Sequence, residues 1–238
     1  MPLYRINGKS VLFIHIPKTG GTSIEDWLRE HRSEALFTPK TPDGHVCSPQ
    51  HFHSNMLKQI IPEGYVDYAF TIIRHPIDRF LSEFFYRNRR KKFRPKWHLR
   101  MKPVLSARPQ ELAYYFRNWT SEAFARYRAN QFASDNHIRP QSHFIDCENL
   151  TIFRFEQGFS KIFEQLSQDL GVNHPPCRVA KKLSKRVRFE IPAKTLEQIE
   201  YFYEEDFRRL IYSKHIVRLR YTEGIADTGH GHCGRKDV

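Results

Sequence analysis

Apolar and polar positions along the chain predict strands and helices in alternation. The apolar run from Val11 to Ile16 predicts the first strand, and Tyr68 to Ile73 predicts a strand buried in a parallel sheet. A third, short strand is predicted over Thr151 to Phe155. Helical spacing of apolar residues predicts helices over residues 22–30, 56–61, 77–92, 109–116, 120–132, 159–170 and 193–212. This alternation indicates an α/β fold.

The same pattern indicates one domain. A chain of 238 residues is long enough for a single α/β domain with a full core, and it contains no internal repeat and no dividing linker. Residues 33–50 are rich in Pro, Thr, Ser, Gly and Asp, which predicts a loop. We expect the domain to occupy residues 1–221 and residues 222–238 to form a flexible tail. The glycines of that tail favour flexibility over a metal site, although it contains His230, His232 and Cys233.

The charge of the chain indicates an anionic partner. Lys and Arg number 39 against 26 Asp and Glu, so the formal net charge is +13. No zinc-finger spacing, RNP-like aromatic motif or helix-turn-helix pattern accompanies this charge. We therefore do not expect nucleic acid to be the partner.

The cysteines and the apolar runs indicate the cellular compartment of the protein. The four cysteines, at positions 47, 147, 177 and 233, are scattered without metal-ligand spacing, and the first residues do not resemble a secretory signal. No apolar run approaches the ~20 residues that span a membrane. We therefore expect reduced thiols and a cytoplasmic protein without a transmembrane segment.

The segment from Ile16 to Ser23 carries the residues of an anion site. A strand that ends at a Gly-Gly turn and restarts as a helix leaves backbone N–H groups unpaired, and these groups attract anions. Lys18 adds a positive charge and two hydroxyls follow it. In the kinase motif G-x-x-x-x-G-K-[ST] the lysine follows the glycines, whereas Lys18 precedes them. The predicted phosphate loop consists of Pro17, Lys18, Thr19, Gly20, Gly21, Thr22 and Ser23.

A second polar group follows the predicted strand that ends at Ile73. Arg74 lies at the carboxyl end of that strand, where open α/β sheets bind ligands. Pro76 suits the first turn of the next helix, and Ser82 lies one or two turns into it. Arg74 and Ser82 are therefore candidates for a second phosphate contact.

Together, the two motifs resemble those of sulfotransferases that use 3′-phosphoadenosine 5′-phosphosulfate (PAPS) as sulfate donor. Pro-Lys-Thr-Gly-Gly-Thr-Ser is similar to the loop that grips the 5′-phosphosulfate, and Arg-x-Pro-x-x-Arg-x-x-Ser to the element that holds the 3′-phosphate through its arginine and serine. Residues 47–53 and 135–141 resemble segments of bacterial members of the carbohydrate sulfotransferases, a group that includes the heparan and dermatan 2-O-sulfotransferases. The resemblance implies a P-loop-like three-layer sandwich, with helices flanking a central parallel sheet, and PAP as the product.

Sulfuryl transfer needs a base for the acceptor hydroxyl and a cation beside the leaving phosphate. Lys18 fits the second role. The resemblance places the base in the loop between the two phosphate motifs, which contains His51 and His53. Residues two apart in an extended segment point in opposite directions, so we choose His51 and keep His53 in reserve. Weaker options are His45, Glu25 and Asp26, and His15 is expected to be structural.

The resemblance also suggests contacts with the acceptor and the nucleotide. Asn136, His137 and Gln141 are expected beside these ligands, and His137 also competes as base. Arg87 begins the basic run 87–94, which we interpret either as a flap over the acceptor or as a solvated face. Within a later basic stretch, Lys182 and Ser184 are expected to close over the 3′-phosphate. No metal is expected, because lysine and arginine already neutralise the donor.

The leading interpretation is an O-sulfotransferase that acts on a carbohydrate hydroxyl, with an acidic polysaccharide or a glycolipid as the acceptor. One alternative is an ATP-dependent kinase of a sugar or small molecule, which the order of lysine and glycines opposes. The other is a non-catalytic binder of acidic glycans on the same fold. The sequence predicts neither the oligomeric state nor the hydroxyl that receives the sulfate.

Overall fold

The computed structural model describes residues 2–28, 32–36, 38–89, 107–173 and 189–214. Several predictions concern residues outside these ranges. They include Lys182 and Ser184, the part of the basic run that follows Arg89, and the tail 222–238.

The described residues form a five-stranded sheet in the order β3-β1-β2-β4-β5. Its strands are β1 (Leu3–Ile6), β2 (Lys9–Ile14), β3 (Arg32–Ala35), β4 (Tyr68–Ile73) and β5 (Leu150–Arg154). Strand β4 runs parallel to both β2 and β5, whereas β1 is antiparallel to β2 and β3. The predicted parallel sheet is therefore confirmed for β2, β4 and β5, and an antiparallel pair extends it at one edge.

Strands β1 and β2 form a hairpin that the apolar pattern did not predict. Asn7 and Gly8 connect them, with φ of 47° and 79° respectively. Positive φ at both positions is typical of the two-residue turn that Asn-Gly favours. The predicted first strand, Val11 to Ile16, corresponds to β2 and was wrong in its bounds and in its place as the first strand. The loop predicted over residues 33–50 was wrong where it overlaps β3.

Seven helices lie in the described residues, and their bounds largely follow the predicted segments. They are α1 (Gly21–Leu28), α2 (Ser54–Ile60), α3 (Pro76–Arg89), α4 (Pro109–Ala129), α5 (Phe159–Leu170), α6 (Ala193–Phe202) and α7 (Glu204–Arg209).

Two helix predictions were wrong in their bounds. Residues 109–116 and 120–132 are not separate helices, because buried Trp119 and Thr120 continue the apolar face of α4 through the expected break. Residues 193–212 do not form one helix, because Tyr203, with φ −104° and ψ 23°, separates α6 from α7.

Alternation along the strands gives the sheet two apolar faces. Phe13 and Phe70 pack on one face with Ile24 of α1 and Leu166 of α5. Residues such as Ile14 and Ile73 pack on the other face against Leu57 and Phe144. A third, aromatic-rich cluster joins α3, α4 and α6. Helices α1 and α5 cover one face of the sheet and α2 covers the other, which gives the three-layer α/β arrangement that was expected.

Within the described part of the chain, no helix combines the length and the apolar character needed to cross a membrane.

Candidate active site

The predicted phosphate loop links the end of β2 to the start of α1. Two of its residues adopt positive φ, Lys18 at 70° and Gly20 at 94°. Buried Thr19 donates its hydroxyl to the carbonyl oxygen of Ile16 at 2.8 Å, and the Ser23 amide donates to the carbonyl of Gly20 at 2.9 Å. The turn thus leads directly into a helix N-terminus, a geometry that favours anions.

Both glycines of this loop lie against side chains. A Cβ added at Gly20 would collide with the ring of Phe159 and would crowd Phe155. A Cβ added at Gly21 would collide with the imidazole of His15, nearest to Nε2. Only glycine lets the loop backbone approach these rings so closely.

Arg74 brings the second motif into contact with the first. Its Nη1 donates to the carbonyl oxygen of Lys18 at 3.2 Å, and its guanidinium lies 4.3 Å from the centre of the Phe155 ring. Gln141 fixes the backbone of Arg74, because its Oε1 accepts from the Arg74 amide and its Nε2 donates to the Arg74 carbonyl. Ser82 is half-buried on α3. The two predicted phosphate motifs are therefore neighbours.

Three histidines of the site each have Nδ1 next to a carboxylate. The pairs are His15 with Glu25 at 2.6 Å, His51 with Asp135 at 2.7 Å and His137 with Glu83 at 2.7 Å. The His51 ring is nearly perpendicular to the other two rings, at centroid distances of 5.2 Å from His15 and 4.9 Å from His137. The three imidazoles thus form a row that starts at the phosphate loop, where His15 packs against Gly21.

Asp135 is fixed by several hydrogen bonds. Its Oδ1 accepts from the Ser48 amide at 2.7 Å, and its Oδ2 accepts from the Ser48 hydroxyl at 2.8 Å as well as facing His51. Ser134, Asp135 and Asn136 all adopt left-handed φ, at 60°, 57° and 61°. Each such residue costs about 1–2 kcal/mol, and strain of this kind concentrates at functional sites.

Asn136 stabilises this strained turn and also holds His51. It is fully buried, donates to the carbonyl oxygen of His51 at 2.9 Å and accepts from Arg139 at 2.9 Å. His51 is therefore held at its backbone by Asn136 and at its ring by Asp135. The side chain of Asn136 is engaged with the protein, so a direct contact with ligand stays a prediction.

The protonation states follow from these contacts. Burial alone would raise the pKa of Asp135, but hydrogen bonds from His51 and Ser48 outweigh it and keep this pKa well below its usual range. Burial lowers the pKa of His51 and that of His137, the latter to about 4, and the facing carboxylates offset this only in part. An ionised carboxylate can only accept, so Nδ1 carries the hydrogen and Nε2 of each neutral ring keeps its lone pair.

His53 has different surroundings from His51. Its ring contacts Phe132 and Phe144 at centroid distances of 5.9 and 6.4 Å, and burial, together with nearby Arg139, lowers its pKa to about 4. It is not part of the row of three imidazoles. Among the weaker candidates for the base, His45 is exposed and Glu25 is already bound by His15 and Gln50.

Helix α3 carries a buried carboxylate at the other end of the row. Glu83 is 1% exposed, accepts from Arg87 and faces His137. Burial would raise its pKa, but its pairing with His137 and the charges of Arg87 and Lys18 lower it to about 2. Arg87 also donates to the carbonyl oxygen of Ser134 at 2.7 Å. In this position Arg87 supports the strained turn.

His51, Asp135 and His137 also bring one potential metal-ligand atom each to within 4.8 Å of the others. Both oxygens of Asp135 already face hydrogen-bond donors from Ser48 and His51. The hydrogen bonds therefore account for the cluster without a cation.

Three residues of this site were given no role by the sequence analysis. Asp135 lay within a noted polar segment, and Glu83 precedes Arg87 by four residues, a spacing that joins opposite charges on a helix. Arg79 is 1% exposed and donates to the carbonyl oxygens of Pro17, His137 and Arg139. Arg79 is the second arginine of the Arg-x-Pro-x-x-Arg-x-x-Ser element, and that motif was the available signal for it.

Comparison with known proteins identifies the family through a family model that matches most of the sequence. No curated protein and no solved structure matches the chain. The model of the sulfotransferase family matches residues 4–213, which include the phosphate loop, Arg74 and all three histidine–carboxylate pairs. The match covers far more than half of the 238 residues, and the chain therefore belongs to the sulfotransferase family.

Proposed function

We propose that this protein transfers the sulfuryl group of PAPS to a hydroxyl of a carbohydrate acceptor. The observation that carries the proposal is the position of His51. Its ring is paired with Asp135 and packs edge-on against His15, whose own ring lies against Gly21 of the phosphate loop. A neutral base beside a phosphate loop is the arrangement that in-line transfer to an alcohol requires.

The donor site in this proposal combines both phosphate motifs. Residues 17–23 supply backbone amides, hydroxyls and the ammonium of Lys18 to the 5′-phosphosulfate. Arg74 and Ser82 take the 3′-phosphate, with Lys182 and Ser184 as further expected contacts. The bond from Arg74 to the Lys18 carbonyl supports a shared ligand, because it keeps the two motifs together.

In the proposed reaction an oxygen of the acceptor attacks the sulfur of PAPS in line with the leaving phosphate. A new acceptor O–S bond forms, and the bond from sulfur to the bridging oxygen breaks. The acceptor proton moves to Nε2 of His51, and the electron pair of the broken bond stays on PAP. Lys18 stabilises the negative charge that develops on the bridging oxygen.

The carboxylate of Asp135 suits this step in two ways. It holds the hydrogen on Nδ1, which leaves Nε2 free to accept, and it stabilises the imidazolium that forms. His137 has the same pairing with Glu83, but one face of its ring is covered by the ring of Tyr86. We therefore place His51 as the base and His137 beside the acceptor.

The acceptor is proposed as a carbohydrate from the resemblance of residues 47–53 and 135–141 to glycan-modifying relatives. A net charge of +13 suits an acidic polysaccharide or an anionic glycolipid. A cytoplasmic location and a bacterial source are parts of the same proposal.

Calorimetric titration with PAP, and separately with ATP plus Mg²⁺, tests the donor. We expect micromolar or tighter binding of PAP that weakens about a hundredfold in Arg74→Ala. Binding of ATP without binding of PAP would overturn the proposal in favour of a kinase.

Radiolabelled sulfate transfer from PAPS then tests the chemistry. The purified protein is incubated with uronic-acid-rich and neutral oligosaccharides as acceptors. Binding of PAP and of acidic glycans without any transfer would favour the non-catalytic alternative.

A further inference from the structure

The ammonium of Lys18 lies on the face of an aromatic ring that has no assigned role. Its Nζ is 3.9 Å from the centre of the Tyr86 ring. Lys18 also has a left-handed φ of 70°, and its carbonyl oxygen accepts from Arg74 at 3.2 Å. Its backbone and the end of its side chain are therefore both fixed by neighbouring residues.

Tyr86 is held in place by residues of the same site. It lies on α3, three residues after Glu83, and its ring stacks on His137 at a centroid distance of 5.9 Å and an interplanar angle of 20°. His137 is itself fixed by Glu83 at 2.7 Å. The ring that supports Lys18 therefore belongs to a packed and hydrogen-bonded group.

We propose that Tyr86 is a positioning residue for sulfuryl transfer, whose ring holds the Lys18 ammonium where the bridging oxygen of the leaving phosphate meets it. The proposal rests on the role given to Lys18 in the proposed function. A free lysine side chain samples many rotamers, and ordering it costs conformational entropy. A side chain that is already fixed before the reaction does not add this cost to the reaction barrier.

An aromatic face suits this task better than a carboxylate. A carboxylate would neutralise the ammonium and compete with the phosphate, whereas a ring attracts the cation and leaves its full charge. The nearby carboxylate, Glu83, faces His137 and accepts from Arg87. The charge of Lys18 also acts on Glu83, and the ring of Tyr86 restricts the position of the ammonium without neutralising it further.

Two substitutions separate this role from simple packing. Tyr86→Leu removes the ring, and we expect kcat for sulfate transfer from PAPS to fall about fivefold to tenfold, with the acceptor KM nearly unchanged. Tyr86→Phe keeps the ring face, and we expect it to restore most of that loss. Tyr114→Leu is the matched control, because Tyr114 is a half-exposed tyrosine that faces Arg117 on α4, outside the site.

Nuclear magnetic resonance provides a readout that does not depend on activity. Reductive methylation with ¹³C-formaldehyde labels the lysine amines and keeps their charge, and Lys18→Arg identifies the Lys18 signal. We expect the ring current of Tyr86 to shift this signal upfield in the donor-free protein, and the shift to vanish in Tyr86→Leu and persist in Tyr86→Phe. Addition of PAP should move the same signal.

The outcomes distinguish this proposal from the one on which it rests. A wild-type protein that neither binds PAP nor transfers sulfate overturns the proposed function. Unchanged kcat in Tyr86→Leu, equal losses in Tyr86→Leu and Tyr86→Phe, or a Lys18 signal without an upfield shift overturns the role of Tyr86.

Discussion

Arg74 donates a hydrogen bond from Nη1 to the carbonyl oxygen of Lys18, at 3.2 Å. The two residues come from separate motifs, at the ends of the adjacent parallel strands β4 and β2. Parallel pairing brings the carboxyl ends of strands to one edge of the sheet, so residues that follow the two strands meet there. The contact therefore turns two sequence motifs into one candidate site for a doubly phosphorylated ligand.

Replacement of this arginine tests whether its shape matters as well as its charge. Lysine keeps the charge in Arg74→Lys but loses the planar fork and the stacking on Phe155. We expect PAP affinity to fall about tenfold in Arg74→Lys and about a hundredfold in Arg74→Ala, since a charge-assisted bond contributes about 1.5–3 kcal/mol. Calorimetry measures both. Arg117→Lys on α4 is the control, and wild-type affinity in Arg74→Lys would contradict the expected geometry.

The sequence predicted those features that depend on local pattern. Strand β4 was predicted with its observed bounds, and the phosphate loop lies between a strand and a helix as expected. The hairpin of β1 and β2 was missed although Asn7-Gly8 is a strong local turn signal. The predicted strand followed the longest apolar run, Val11 to Ile16, whereas Leu3–Ile6 has a shorter apolar pattern.

The histidine–carboxylate pairs, in contrast, depend on tertiary structure. His51 and Asp135 are 84 residues apart in sequence, and His137 and Glu83 are 54 apart. No spacing rule connects such positions, and a single sequence contains no record of which carboxylate faces which ring. For the same reason the sequence could name both His51 and His53 as candidates but could not determine their surroundings.

Asp135→Asn tests the pairing with His51. An amide in place of the carboxylate can donate to Nδ1, which places the hydrogen on Nε2 and blocks the base. We expect kcat for sulfate transfer to fall on the order of a hundredfold or more, by analogy with other carboxylate–histidine pairs. Asp146→Asn, which alters an exposed carboxylate paired with Lys58, is the matched control.

The pH profile of kcat/KM in Asp135→Asn shows whether Asp135 positions His51 or only supports the fold. Burial lowers the pKa of His51 below 6.5, so activity should be full above that value and fall as the pH drops through the lowered pKa. Asp135 raises this pKa in part, so its removal should move the acidic limb to lower pH. A variant with a lower plateau and an unmoved acidic limb would argue for a purely structural Asp135.

His53→Leu tests the surroundings of His53, the reserve candidate for the base, through the pH dependence of protein stability. The folded-state pKa of His53, about 4, lies below its ordinary value of 6.5, so the unfolded chain binds a proton first as the pH falls. Between these values the free energy of unfolding should drop by up to about 1.4 kcal/mol per pH unit because of His53. His53→Leu should lose that dependence, and its thermal midpoint should fall less than that of the wild type between pH 7 and 5.

Measurement of sulfate transfer completes the comparison of His51 with His53. We expect His53→Leu to retain sulfate transfer and His51→Ala to lose it, because only His51 lies in the row beside the phosphate loop. Loss of transfer in a folded His53→Leu, with transfer retained in His51→Ala, would reverse the assignment.

Gly21→Ala tests whether the phosphate loop and the histidine row are packed as one unit. The new methyl group would collide with the His15 imidazole, so either the loop or His15 must move. Overpacking of this kind costs about 1–3 kcal/mol, and we expect PAP affinity to fall more than tenfold as the loop shifts. Gly64→Ala is the control, since Gly64 has a left-handed φ of 74° but open space around it. It should lower the thermal midpoint without altering PAP binding measured by calorimetry. Equal PAP affinity in Gly21→Ala and the wild type would show that the loop binds donor independently of His15.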